Sequence, residues 1–415
     1  MSTSQRSIAV GIDVGSTKIA TAIGQLQESG GIDLIGVGFA PSNGLRRGMV
    51  VDIEETVSSI AASLEEAERM SGLPVTSAVV SIGGIHIQST SSKGVIAVSR
   101  QDGEIGENDV LRVLDAARAV SVPPNREILH ALPRSYSIDG QGGIKDPIGM
   151  SGIRLEVETQ VISGAVATVK NLAKCMSQAG VQVTDMVFTP LADSRALLSK
   201  RQREIGVAIV NIGGGTTSYA IYEEGDVLHA GVLPVGASHI TNDIAIGLRT
   251  NIDTAEVVKV KYGSAVAERI DASQEIDLHK IDKNEDGNVN RRYVAEIIEA
   301  RLTEIMVMIR DELRKVGREG MLPAGVILTG GGAKQDGIVE LAKSVLRLPV
   351  QVGAVTHDVS GMIDNLGDPL YAASIGLLLW GLEAGQSAPA AKNRPSLQFG
   401  SAYAKARGIF KQLLP

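Results

Sequence analysis

GVAIVNIGGGTTSYAIYEEG, residues 206–225, is the stretch that decides the fold. An apolar run leads into a turn of glycine and threonine, and a second run of β-forming residues leads out, so the pattern predicts strand, turn, strand. The same layout stands within residues 6–24, where SIAVGI is followed by Asp-Val-Gly-Ser-Thr-Lys and then by IATAIG. Two such hairpins in one chain signal an internal duplication. A third glycine cluster closes PAGVILTGGG, residues 323–332, and a helix is predicted at 335–346.

Turns of this composition suit phosphate. Glycine lets backbone N–H groups approach an anion closely, and hydroxyls add donors. The first turn supplies Asp13, Gly15, Ser16, Thr17 and Lys18, the lysine serving as a point cation. The second supplies Gly213, Gly214, Gly215, Thr216 and Thr217. Gly330, Gly331 and Gly332 follow a strand and precede a helix, where a nucleoside could lie flat on the backbone. Three such turns together point to nucleotide binding. No GxxxxGK[ST] sequence occurs, which excludes the P-loop class. A dinucleotide fingerprint fails as well, because the glycines at 213–215 lead into a strand and not a helix.

The 415 residues exceed what one hydrophobic core holds, so two to four domains are expected. With 44% hydrophobic and 21% charged residues the chain reads as globular, and with 3% aromatics its core must be aliphatic. A net charge of −7 argues against a nucleic-acid partner. The single cysteine, Cys175, reads as a small buried hydrophobe in a reducing compartment. No signal-peptide region is expected in MSTSQRSIAV, and no apolar run approaches the roughly 18 residues of a membrane span. Membrane contact is therefore expected to be peripheral.

Residues 52–71 carry Ile53, Val57, Ile60, Leu64 and Ala67 at helical spacing, and a strand follows at 75–82. Residues 85–163 change character, with short strands, a helix near 107–119 and a loop rich in Gly and Pro, which predicts an inserted subdomain. Further elements are a helix at 165–179, a strand at 181–188, a helix after Pro190 and a mostly helical stretch over 236–320. A last buried helix is predicted at about 369–383, then a linker rich in Ala, Pro, Ser and Gly. Asp282, Asn284, Asp286 and Gly287 imitate a calcium loop, but its last ligand position is Tyr293, so the segment reads as a polar turn.

HALPRSYSIDGQGGIKDPIGMSGIRLE at 130–156, LPVGASHITNDIAIGLRT at 233–250, AEVVKVKYG at 255–263 and LYAASIGLLLWG at 370–381 extend the pattern. With the three turns, they resemble the FtsA family of bacterial cell-division proteins, within the actin, sugar-kinase and heat-shock chaperone superfamily. The resemblance covers nearly residues 6–384. It implies an α/β, two-lobed actin-like fold of duplicated ribonuclease-H-like domains, with an FtsA-type inserted subdomain and a C-terminal amphipathic helix. On that division residues 1–84, 164–204 and 359–384 form the first-lobe core, 85–163 the insert, 205–235 with 300–358 the second-lobe core, and 236–299 its outer subdomain. Residues 385–400 are the linker and 401–415 the terminal helix.

The resemblance also implies ATP and Mg2+ as cofactors. It places Asp13, Ser16, Thr17 and Lys18 at the first phosphate turn, with Asp13 toward the metal, and Gly213 to Thr217 at the second. Gly236 closes over the nucleotide, and Glu256 with Lys259 faces the adenosine. Chaperone-type relatives carry aspartates where this chain has Asn211 and Ser218, and a glutamate where it has Thr189. An amide or hydroxyl cannot supply that charge, so ATP hydrolysis is expected to be weak or absent, at most a slow ATPase.

Implied partners are the acidic tail of the tubulin-like protein FtsZ at Arg291, Arg292 and Arg301, later division proteins through residues 85–163, and further copies in filaments. At the C-terminus Tyr403, Ala406, Ile409, Phe410, Leu413 and Leu414 share one helical face beside Lys405, Arg407 and Lys411. That pairing suits a helix lying in anionic membrane lipid, here the cytoplasmic face of the cell membrane at the division site. The alternatives are a small-molecule kinase or a pilus-assembly scaffold on the same fold. A kinase should show a catalytic aspartate near the second turn, and the GMSGIRLE segment with the terminal helix speaks against the scaffold.

Overall fold

A computed structural model describes residues 8–387 apart from 28–30, 100–101, 120–121, 286, 357–358 and 362–367. The chain opens with an antiparallel meander of β1 (Ile8–Val14), β2 (Lys18–Leu26) and β3 (Ile32–Pro41). Most of β2 is buried, as its apolar run, interrupted only by Thr21, requires of a sheet covered on both faces. A small hairpin, β4 (Leu45–Arg46) and β5 (Met49–Val50), precedes α1 (Ile53–Ser71). Asp52 caps α1 by accepting from the Glu55 N–H, Gly72 ends it at φ 69°, and Ile60, Leu64 and Ala67 are buried. β6 (Ser77–Ile82) then joins the sheet parallel to β1.

An antiparallel unit interrupts this lobe: β7 (Gln88–Ala97), α2 (Glu107–Ala119), β8 (Arg126–Ile138), β9 (Gln141–Ile144) and β10 (Arg154–Ala165), in the strand order β7-β10-β8-β9. Val110, Val113 and Leu114 of α2 pack with Tyr136, Leu155 and Val157 as a separate core. In place of the short strands predicted, β8 and β10 run 13 and 12 residues. Bulges at Glu158/Thr159 and Ile162/Ser163 let the long pair curve. Pro133 is tolerated because β8 has no β9 partner there, so no ladder bond is lost on that side. The unit leans on the second lobe through Lys145, 2.7 Å from Asp226 Oδ2, and Arg134, 3.7 Å from Glu223 Oε2.

The first lobe resumes with α3 (Val166–Gln178), β11 (Gln182–Phe188), α4 (Thr189–Leu197) and α5 (Lys200–Ile205). A second meander follows: β12 (Val207–Ile212), β13 (Thr217–Glu223) and β14 (Asp226–Leu233). Next come α6 (Ala237–Leu248), α7 (Ile252–Tyr262), the short pair β15 (Glu275–Asp277) and β16 (Asn288–Asn290), and α8 (Arg291–Lys315). β17 (Val326–Thr329), α9 (Ile338–Leu346) and β18 (Val350–Val352) complete the second sheet. Its order is β14-β13-β12-β17-β18, and the first sheet contains β3-β2-β1-β6-β11. Each is three antiparallel strands followed by two parallel ones, so the repeated hairpins sit in two sheets of one topology.

The described chain then returns to the first lobe. β19 (Val359–Gly361) pairs with β3, and α10 (Ala372–Ser387) packs with β1 and α4. Ile375, Leu377, Leu378 and Leu379 of α10 are all buried, so this is an interior helix. A Cβ at Gly376 would overlap the Ala192 carbonyl, which brings α10 down onto the backbone of α4. No described helix is long and apolar enough to cross a membrane.

Candidate nucleotide site

The two phosphate-type turns have one geometry. In the first, β1 and β2 pair up to Val14 and Ile19, and the Gly15 N–H donates to Lys18 O at 2.9 Å. In the second, β12 and β13 pair up to Ile212 and Thr217, and the Gly213 N–H donates to Thr216 O at 2.9 Å. Asp13 and Asn211 are therefore equivalent positions of the repeat. The turns face each other across the lobes: a Cβ at Gly214 would overlap the Thr17 methyl, and one at Gly215 would lie 3.1 Å from Ser16 Oγ. Ser16 Oγ in turn accepts from the Gly48 N–H at 2.8 Å.

The start of α6 anchors the second turn. After Gly236, the N–H groups of Ala237 and Ser238 donate to Gly213 O and Gly214 O at 2.8 and 2.9 Å. Thr217 is fully buried and gives its hydroxyl to Val235 O at 2.9 Å, so its side chain serves the strand and does not line the turn. The third cluster seats on the end of β12. Gly330 has φ 82°, and a Cβ there would overlap Asn211 Oδ1, so glycine is required twice over. Gly331 and Gly332 begin a short 3-10 turn at this junction. Glu256 and Lys259 lie one turn apart on α7. Lys259 Nζ donates to Glu256 Oε2 at 2.6 Å and to Thr241 Oγ1 at 2.8 Å, which ties α7 to α6.

A buried charged group forms the floor. Lys18 Nζ lies 3.7 Å from Asp13 Oδ2 and donates to Leu370 O. Burial lowers its pKa, opposed by Asp13, Asp193 and Asp368 nearby. Asp193, on α4, was not found by sequence reasoning. It is 0% exposed, Asn211 Nδ2 donates to its Oδ2 at 2.7 Å, and its Oδ1 has no hydrogen-bond partner. Burial pushes its pKa up to about 8, with Asp13 adding to the rise and the Asn211 bond and Lys18 opposing it. The available signal was an ionisable residue inside TPLADSRAL, a helix whose neighbours Leu191, Ala192, Ala196 and Leu197 are all buried.

This has a measurable consequence for the nucleotide-free protein. An unfolded aspartate ionises near pH 4, whereas Asp193 keeps its proton to about 8. Between those values the native state binds the extra proton, so stability falls as pH rises, by at most about 1.4 kcal/mol per unit. Asp193→Asn keeps an acceptor for Asn211 and is expected to flatten that slope. Denaturant unfolding at about pH 5.5 and about pH 7.5 measures it, and equal slopes in both proteins would contradict the expectation.

Elsewhere the expected residues separate. Arg301 forks onto both oxygens of Asp243, at 2.6 and 3.0 Å, and also reaches Glu304. Arg291 donates to Tyr262 O and to Gln274 Oε1, both at 2.9 Å. Arg292 is the more open, 3.7 Å from Glu296. At 282–290 Asp282 accepts from the Asn284 N–H and from Asn251 Nδ2, as a polar turn does; Asp286 lies outside the described residues. Among the described residues no group of three or more His, Cys, Asp or Glu could hold a metal ion. Tyr403, Ile409, Phe410, Leu413 and Leu414 lie outside the described residues.

A family model described as "Cell division protein FtsA" matches residues 208–376, and one described as "SHS2 domain inserted in FTSA" matches residues 84–163. The Cell division protein FtsA of Pseudomonas aeruginosa is 40% identical over 374 residues, covering 90% of this chain and 89% of its own. That of Neisseria meningitidis serogroup B is 38% identical over 379 residues, covering 91% of each. Among solved structures, a chain of the PilM–PilN type IV pilus biogenesis complex superposes with a TM-score of 0.67 at 17% identity, over 90% of this chain and 98% of its own. MreB 5 of Spiroplasma citri bound to AMPPNP does so with a TM-score of 0.53 at 14% identity, over 90% and 95%. The fold is thus actin-like with an inserted SHS2 domain, and the chain belongs to the FtsA family of cell-division proteins.

Proposed function

We propose that this FtsA-family chain binds ATP between its two glycine turns, turns it over slowly, self-associates, and ties FtsZ to the cytoplasmic face of the cell membrane. The observation that carries the reading is the twin turns, alike in geometry and facing each other above Lys18 and Asp13. Their N–H groups suit phosphate oxygens, and Gly330 to Gly332 offer a backbone surface beside them for the nucleoside. Mg2+ fits the donor set: Asp13 and Asp193, the latter giving up its proton as the ion arrives, offer carboxylate oxygens, which this ion prefers, and two protein ligands leave room for phosphates and water. Once bound, the ion neutralises charge on the phosphates. Ser218 and Thr189 offer no carboxylate to activate water, so turnover below about 1 s⁻¹ is expected.

Docking surfaces support the partner assignments. Ile148, Met150 and Ile153 are exposed on the inserted unit, Ile153 by 79%, which suits contacts with later division proteins. For the acidic FtsZ tail, Arg292 is the open cation, because Arg291 and Arg301 are engaged within the lobe. Reversing Arg301 would leave Asp243 facing a like charge and damage the fold, so the informative variant is Arg292→Glu. Fluorescence anisotropy with an acidic FtsZ tail peptide should show binding to the wild type. The variant should bind about fivefold more weakly at low salt, the difference shrinking as salt is added. Equal affinity would remove this helix start from the docking site. Failure of the wild type to bind would remove the FtsZ assignment itself.

A further inference from the structure

We infer that Asp193 is a further residue of the nucleotide site, its carboxylate supplying to the Mg2+–ATP complex the negative charge that position 211 lacks. The inference rests on the nucleotide reading above. The repeat itself provides the comparison. At equivalent places in the two hairpins stand Asp13 and Asn211, so one wall of the cleft carries a carboxylate and the other an amide. Asn211 does not stand alone, however. Its amide holds Asp193 Oδ2 at 2.7 Å, which brings a carboxylate to the root of the second turn from a different element, α4.

The other oxygen of Asp193 is the second observation. Oδ1 is buried and meets no donor, an arrangement that costs free energy unless a cation or an N–H or O–H group comes to face it. Lys18 is not that partner, since its ammonium is turned to Asp13 and Leu370 O. A role limited to orienting Asn211 would need only a neutral acceptor at position 193. An ionisable group with one oxygen left over suits a hard dication or the waters around it, whose charge displaces the proton that the group holds in the nucleotide-free protein.

The test is equilibrium binding of a fluorescent ATP analogue to the full chain, with Mg2+ and with EDTA. Three proteins are compared: wild type, Asp193→Asn, and the exchange variant Asp193→Asn with Asn211→Asp. The exchange keeps a hydrogen bond between the two positions and returns the carboxylate to the hairpin, and thermal melts establish that all three are folded. The wild type should bind more tightly with Mg2+ than without it. Asp193→Asn should lose about tenfold of that Mg2+-dependent gain while its affinity in EDTA stays as in the wild type, a difference of about 1.4 kcal/mol, and the exchange variant should recover it. A wild-type Mg2+ gain in Asp193→Asn, or an equal loss with and without Mg2+, would overturn the inference and leave Asp193 a structural residue. Absence of ATP binding by the wild type under either condition would overturn the nucleotide reading itself.

Discussion

Gly214→Val is expected to abolish ATP binding while leaving the chain folded. Gly214 stands at the centre of the second turn, where a Cβ alone would overlap the methyl of Thr17 in the opposing turn. Valine adds two more methyl groups at the line where the lobes meet. The turn itself can tolerate the change, because Gly214 is not among the glycines with positive φ. The strain therefore falls on the approach of the two turns, which is the space the phosphates need. A loss of at least about 100-fold in affinity, roughly 2.7 kcal/mol, is expected. Calorimetry measures it directly. As a control, the nucleotide-free melting temperature should stay close to that of the wild type, while the rise produced by added ATP should vanish. Unchanged ATP affinity in this variant would show that the second turn is not a phosphate site.

Removing residues 401–415 is expected to release the protein from liposomes. Burial of Ile409, Phe410, Leu413 and Leu414 in lipid would contribute about 1.5–3 kcal/mol each. Ordering a helix this short offsets much of that gain. Single molecules should therefore bind weakly, with Lys405, Arg407 and Lys411 adding attraction to anionic lipid. A filament that presents many such helices would bind by avidity. Phe410→Glu would place a charge on the face expected to be apolar and should abolish co-sedimentation. Replacing the three cations by glutamine should reduce binding mainly on vesicles rich in anionic lipid. Undiminished co-sedimentation after the deletion would require another membrane-binding surface.

What could be read from the sequence follows the range of the interactions involved. The mostly helical stretch predicted over 236–320 contains α8, Arg291–Lys315, and the helical spacing at 52–71 is that of α1. Their apolar spacing lies within the segments themselves, and their N-caps, Asp52 and Asn290, are the residues directly before the helices. The glycine turns were legible for the same reason, since each is closed by a hydrogen bond between residues three apart. Asp193 was not legible, because its chemistry comes from β12 and the Lys18 turn, which only folding brings beside it. The engagement of Arg301 by Asp243 is another long-range fact, and it changes how that cation can be used. The strand pair β15 and β16 went unseen because three-residue strands are too short for an alternation to show.

The position of α10 has a consequence for the order in which the molecule is assembled. β7 to β10 form one continuous stretch of chain, as do β12 to β18, so each unit has its sheet complete as soon as its own residues have left the ribosome. The first lobe does not. Its sheet is laid down from Ile8 onward, yet one face of β1 is covered by a helix that starts at Ala372. Until that helix arrives, the face of the sheet formed by Ala9 and Gly11 of β1, Gly24 of β2 and Val79 of β6 stays open. The first part synthesised is thus the last to close, and the closing contact spans nearly the whole chain, a topology that slows folding and prolongs exposure to aggregation. A released chain that ends before residue 372 should hold a folded second lobe beside an open first one.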